Sequence, residues 1–153
     1  ALAISDKVIV MNNAVIAQDG NPKDLYNFPK NKFVANFIGD ANDVIADIIN
    51  KQSNTYNLKL AEMSIKIESS KDLNDKISLA LRPEKIKIER NNNNNCIHAT
   101  IKNASYVGSS YQYILNSKIG KLYVVSGDTN DIFKVGEEVF LSIDEKDIKI
   151  LSD

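Results

Sequence analysis

Apolar and polar positions change their spacing near residue 43. Upstream, short apolar runs are joined by turn residues; downstream, alternation with a period near two takes over. The second regime predicts short strands at residues 44–49, 56–60, 64–67, 77–82, 86–89, 97–107, 111–115, 122–126, 138–143 and 148–151. SIKIE alternates strictly and KIKIE repeats the device, so each strand has one dry and one wet face. Turn residues separate the runs at 108–110, 116–120, 127–130 and 144–147. Strands this short and this regularly spaced predict a mainly β fold, drawn as one five-stranded OB-like barrel or two small ones.

The first regime is different. KVIVM at 7–11, the turn pair Asn12-Asn13 and the apolar run 15–18 predict a tight hairpin. Asn21 then stands where a helix cap belongs, Pro22 at the first helical position and Asp24 in the positive first turn, so a short helix is expected to stop near Phe28-Pro29. Asn31 opens a second helix with Phe33, Val34, Phe37 and Ile38 on one face, and Gly39 ends it. A segment of about 40 residues rarely builds its own core. Residues 1–39 therefore read as the edge of a larger domain, with ALAIS as the tail of a helix and residues 8–16 exposed, mobile or paired with a second copy.

Composition narrows the class. The chain has 153 residues, 43% apolar and 25% charged, with 19 basic against 20 acidic side chains. That is a globular composition, and near-zero net charge argues against a general nucleic-acid binder, which needs a local excess of Lys and Arg. No apolar run approaches the ~18 to 20 residues of a membrane span, and the opening lacks a secretion leader. The single cysteine, Cys96, cannot form an internal disulfide, so a cytoplasmic address is the expectation.

Candidate chemistry is sparse. Neither the phosphate-loop pattern nor G-x-G-x-x-G occurs, and Cys96 with His98 has no third or fourth partner to complete a metal site. No catalytic, cofactor-binding or metal-binding residue is assigned. Glu137-Glu138 and Asp144-Glu145 read as solvated surface, and Asn91 to Asn95 as a solvated loop. Tyr111, Tyr113 and Tyr123 fit either plain packing or one barrel face on which bases stack. Arg82-Pro83-Glu84 is the most pointed feature: Pro83 forces Arg82 into an extended conformation, and opposite charges flank the bend.

Two stretches carry a resemblance. ALAISDKVIVMNNAVIAQDGNPKDLYNFPKNKFVANFIGDAN resembles the end of the nucleotide-binding domain in ATP-binding subunits of ABC importers, and LALRPEKIKI with YVGSSYQYIL resembles the transport-associated OB-type (TOBE) domain that follows it. The resemblance implies a nucleotide-binding-domain remnant at 1–42 and a TOBE domain at 43–153. It also implies that the sites for ATP and Mg belong to the full-length parent and not to this stretch. Arg82, Pro83 and Glu84 match the family's RPE loop, and Gly108 its YVG turn. They are expected to shape contacts among barrel, ATPase lobe and partner subunit. Ala14 stands where glycine is usual in the hairpin.

On this reading the stretch is a regulatory and dimerisation module of an importer ATPase, inactive alone. The implied partners are a second ATPase subunit and transmembrane permease subunits, without nucleic acid, at the inner face of the cell membrane. The tail resembles most the polyamine (spermidine/putrescine) group. The alternatives are a ferric-iron or other small-solute importer, or a stand-alone small-ligand or oligonucleotide-binding OB barrel.

Overall fold

The computed structural model describes residues 2–152. Residues 2–4, expected to close a helix, form a turn, and Ala1 lies outside the described residues. Strands β1 (Val8–Asn12) and β2 (Val15–Gly20) make the expected hairpin. Its turn places Asn13 at φ 49° and Ala14 at φ 62°, both left-handed, which matches the right-handed twist of the strands it joins. Helix α1 (Pro22–Asn27) is capped by Asn21, whose Oδ1 accepts from Asp24 N at 2.9 Å, and α2 (Lys32–Ile38) by Asn31, which accepts from Val34 N at 3.0 Å. Val10, Leu25, Val34 and Ile38 form a small cluster between hairpin and helices. The other face of the hairpin stays open: Ile9, Met11 and Ile16 are 54%, 54% and 57% exposed.

The remaining strands form two five-stranded antiparallel sheets. They are β3 (Asn42–Gln52), β4 (Thr55–Leu60), β5 (Met63–Glu68), β6 (Lys76–Leu81) and β7 (Lys87–Glu89), then β8 (Ile97–Tyr106), β9 (Tyr111–Ser117), β10 (Gly120–Ser126), β11 (Glu138–Ser142) and β12 (Ile148–Leu151). The orders are β10-β9-β8-β11-β7 and β12-β6-β3-β4-β5. Register shifts in β3 at Ile48/Asn50 and in β8 at Ile101/Asn103 mark bulges, which bend long strands and curl each sheet into an OB-like half-barrel. The alternation read from the sequence survives: β5 is buried and exposed at every second residue, and the β3 half nearest α2 likewise.

The halves share one core rather than enclosing two. Leu58, Leu60, Ile65, Leu79 and Leu81 from one sheet meet Ile101, Leu115, Leu122, Val139 and Leu141 from the other. Buried Asn42 ties them with its amide. Its Oδ1 accepts from Tyr123 N (2.7 Å), and its Nδ2 donates to the carbonyls of Tyr123 (2.7 Å) and Leu81 (3.2 Å). A side chain thus supplies the edge of β10 with the donor and acceptor that a neighbouring strand would provide.

The three tyrosines do not share a face. Tyr113 pairs with Val124, so the adjacent Tyr123 points the opposite way. Tyr113 is a core residue whose hydroxyl accepts from Phe133 N (3.3 Å), and its ring meets Phe133 edge-on at 5.8 Å. Burial raises its pKa.

Candidate functional site

Arg82 leaves β6 two residues after Ala80, and strand alternation gives both the face turned toward the helices. Ala80 packs there against Ala35 and Leu151. Pro83 opens a short 3-10 turn (Pro83–Lys85) and holds Arg82 at φ −71°, ψ 131°, extended as expected before proline. The guanidinium, on a residue only 4% exposed, is aimed into the notch between α1 and α2.

There it meets backbone oxygens. Nη1 donates to the carbonyls of Ala35 (2.8 Å), Gly39 (2.8 Å) and Asp40 (3.0 Å), and Nη2 to that of Tyr26 (3.0 Å). These include carbonyls at the C-terminal ends of both helices, which lack intrahelical donors and carry partial negative charge. Arg82 Cζ also lies over the Tyr26 ring, 4.1 Å from its centre, and the Tyr26 hydroxyl donates to Glu84. Burial pushes the Arg82 pKa below its ordinary value, opposed by the charge of Asp40. The group remains a cation, held by carbonyls with no carboxylate in direct contact.

Smaller contacts reinforce the joint. Ser152 N donates to Lys30 O at 3.1 Å, and Asn31 and Ser152 form a parallel bridge. Gln18 holds the loop before α2 from the other side, donating to Phe28 O (3.0 Å) and accepting from Lys30 N (2.8 Å). A Cβ added at Gly39 would meet the Tyr26 ring at 3.1 Å, tighter than ordinary packing.

Arg82, Pro83 and Glu84 are thus gathered in one joint. Gly108 is not part of it. It sits at the tip of the β8–β9 hairpin at φ 91°, with open space around it, so its demand is conformational. Tyr26, Gln18 and Asn42 were missed by sequence reasoning, because nothing local marks an aromatic or amide whose partner is 56, 10 or 81 residues away.

Other candidates stay apart. Cys96 is buried and turned to Asn94 O, whereas His98 is exposed beside Glu138 and Phe140. Among the described residues no group of three His, Cys, Asp or Glu is placed to hold a metal ion, and no helix is long and apolar enough to cross a membrane. The described segments also contain no glycine-rich loop opening a helix of the kind that cradles nucleotide phosphates. The asparagine run is not wholly idle: Asn95 accepts from Ser64 N (2.6 Å) and donates to Ser64 O (2.9 Å), covering the edge of β5.

Two curled half-barrels with an Arg-Pro-Glu joint at one flank define an OB-like barrel of the TOBE kind. Residues 79–151 match the family model described as the TOBE domain. The chain is 34% identical over 137 residues to the spermidine/putrescine import ATP-binding protein PotA of Salmonella typhi, covering 86% of this chain and 36% of that protein. It is 26% identical over 152 residues to the Fe(3+) ions import ATP-binding protein FbpC of Brucella abortus, covering 99% of this chain and 43% of the relative. Residues 79–151 are thus a TOBE domain, and the chain is similar to TOBE-bearing regions of ABC importer ATP-binding proteins, spanning well under half the length of these relatives. Among solved structures, the molybdate-bound cytoplasmic protein ModG superposes with a TM-score of 0.57 at 8% identity, over 70% of this chain and 92% of that one, a likeness of fold.

Proposed function

We propose that this chain is the regulatory and dimerisation part of an ATPase subunit that energises import of a small solute. Residues 1–42 would be the end of the nucleotide-binding domain and 43–153 the TOBE domain. The observation that carries the reading is the Arg82 joint. A buried cation on the barrel grips the C-terminal ends of α1 and α2, so any movement of those helices is passed to the barrel as a rigid-body displacement. Arg82, Pro83 and Glu84 act as the coupling element, and Gly108 shapes a hairpin tip free to meet another subunit. Two barrels packed together would keep two ATPase lobes near each other through opening and closing, raising their effective concentration. The parent would bind ATP and Mg upstream, work with permease subunits at the inner membrane face, and form a homodimer.

The solute we favour is a polyamine, because identity to the spermidine/putrescine protein (34%) exceeds that to the ferric-iron protein (26%). The test is a pair of chimeras in which this chain replaces the matching region of each relative. Spermidine uptake retained by the PotA chimera, with iron uptake lost by the FbpC chimera, supports the reading. Uptake lost from the PotA chimera, although it assembles in the membrane and hydrolyses ATP, overturns the polyamine assignment. ATP turnover by the purified chain alone would contradict the division of labour.

A further inference from the structure

The second sheet is left open at both flanks: β5 and β12 each pair on one side only. The curl of the sheet turns these two flanks toward a common groove of about 1200 Å³, which both of them line. Its walls are basic. Lys30 and Lys32 stand on the loop before α2 and the start of that helix, Lys66 and Lys71 on and after β5, and Lys146 and Lys149 beside and on β12. With Lys76 they make seven lysines against three carboxylates, Glu68, Asp72 and Glu145, in a chain whose overall charge is −1. Of the seven, only Lys76 has an ion pair among the described residues, with Asp47 at 3.6 Å.

The backbone at the two flanks is unequally covered. On β5, Ser64 N–H is taken by Asn95 and Lys66 N–H by the Glu145 carboxylate at 2.8 Å. On β12, Ile148 N–H turns back to Glu145 O and Ser152 N–H to Lys30 O. Alternation gives Ile150, between them, the same outward direction, and no side chain among the described residues caps it. Residues 30–31 already lie along the end of this strand as a parallel bridge. A carboxylate is already the partner of one edge amide here, and six of the seven lysines around it make no ion pair among the described residues. A second copy docking through the same face would set lysines against lysines.

We propose that this groove receives an extended acidic peptide segment, which adds alongside β12 at Ile150 and lays its carboxylates against the surrounding lysines. Main-chain pairing supplies the register and charge supplies the selectivity. The inference does not depend on the importer reading, since it rests on the groove alone.

The test uses the whole chain and fluorescence anisotropy with a labelled peptide of alternating Glu and Val. Three comparisons accompany it: the Lys/Val counterpart, the Glu/Val peptide N-methylated at alternate amides, and the variant Lys66→Glu/Lys146→Glu, both exposed positions, with its fold checked by circular dichroism. The Glu/Val peptide should bind, weakening about tenfold or more between low and moderate salt. The N-methylated peptide and the charge-reversed variant should each lose at least about tenfold, and the Lys/Val peptide should not bind. Equal binding of parent and N-methylated peptides overturns strand addition. Equal binding of the Lys/Val peptide overturns the charge argument. Displacement by equimolar inorganic phosphate, or preferential capture by phosphatidylserine vesicles, shows an ion site or a lipid-facing surface instead and overturns the peptide assignment.

Discussion

Replacing Arg82 by alanine removes the buried cation that binds α1 and α2 to the barrel. Four carbonyls lose their donor, at least one of them, on fully buried Ala35, out of reach of water. Three acceptors share Nη1, so the bonds number nearer three than four in effect. A net hydrogen bond to a charged group stabilises by about 1.5 to 3 kcal/mol, and a large part of that gain is offset by the cost of burying the guanidinium. A loosening of the helix pair by about 3 kcal/mol is the working figure, or about a hundredfold in its opening equilibrium. Native-state hydrogen exchange reads this directly. The amides of Phe28 and Ala35, bonded to Asp24 O and Asn31 O, should exchange about a hundredfold faster, while amides in β8 and β9 keep their rates. Arg82→Lys should fall between, because an ammonium has no planar fork to reach Tyr26 O and Ala35 O together or to stack on Tyr26. Unchanged protection at Phe28 and Ala35 in the alanine variant, or equal acceleration throughout the barrel, would refute the claim that Arg82 is a local joint.

Asn42→Ala should lower barrel stability by about 2 to 4 kcal/mol in urea unfolding, since Tyr123 N–H and C=O both lose their partner. Asn42→Asp should also destabilise at neutral pH, because a carboxylate can accept from Tyr123 N but cannot donate to Tyr123 O. Ala14→Gly should raise stability by about 0.5 to 1 kcal/mol, relieving a left-handed alanine, and a lowered thermal midpoint would count against the turn geometry. Glu137 accepts from Lys134 N and pairs with Arg90 Nε at 2.7 Å, and these contacts hold its pKa below the usual value. A carboxyl depressed in the folded state stabilises above its unfolded pKa, near 4.3, and that contribution fades as pH falls through the folded value. The thermal midpoint should therefore be level from about pH 7 to 5.5 and decline below about pH 4.5, with a shallower decline in Glu137→Gln.

The strands and both helix caps were legible because their signals are local. Period-two alternation marked 64–67 as a strand, and Asn21 and Asn31 announced helices by residue type and position. The Arg-Pro-Glu triplet stood out for the same reason, since proline dictates the conformation of the residue before it. What it grips was not legible, because its partners are backbone carbonyls, and a carbonyl has no letter in the sequence. The shared core was hidden too. Whether ten strands close into one body or two depends on which sheet flank meets which, and here the apolar faces of both sheets meet in one core, with Asn42, which read as the last letter of the preceding segment, tied to the edge of β10. The face of Tyr123 was not legible because it is fixed by pairing register, which spacing within one strand cannot supply.

Because the Arg82 guanidinium reads main-chain oxygens at positions 26, 35, 39 and 40, its hydrogen bonds ask only that the helix ends keep their shape, whatever side chains stand there. Side-chain identity is constrained separately: Tyr26 by its ring against Arg82 and its hydroxyl to Glu84, Ala35 by burial against Ala80 and Leu151, and Gly39 by its closeness to the Tyr26 ring. The polar part of this attachment is thus addressed to backbone, and its apolar part to three particular residues. Such a latch tolerates divergence elsewhere in whatever helical segment it fastens, as long as that segment keeps the pair of short helical turns and the three residues packed at them.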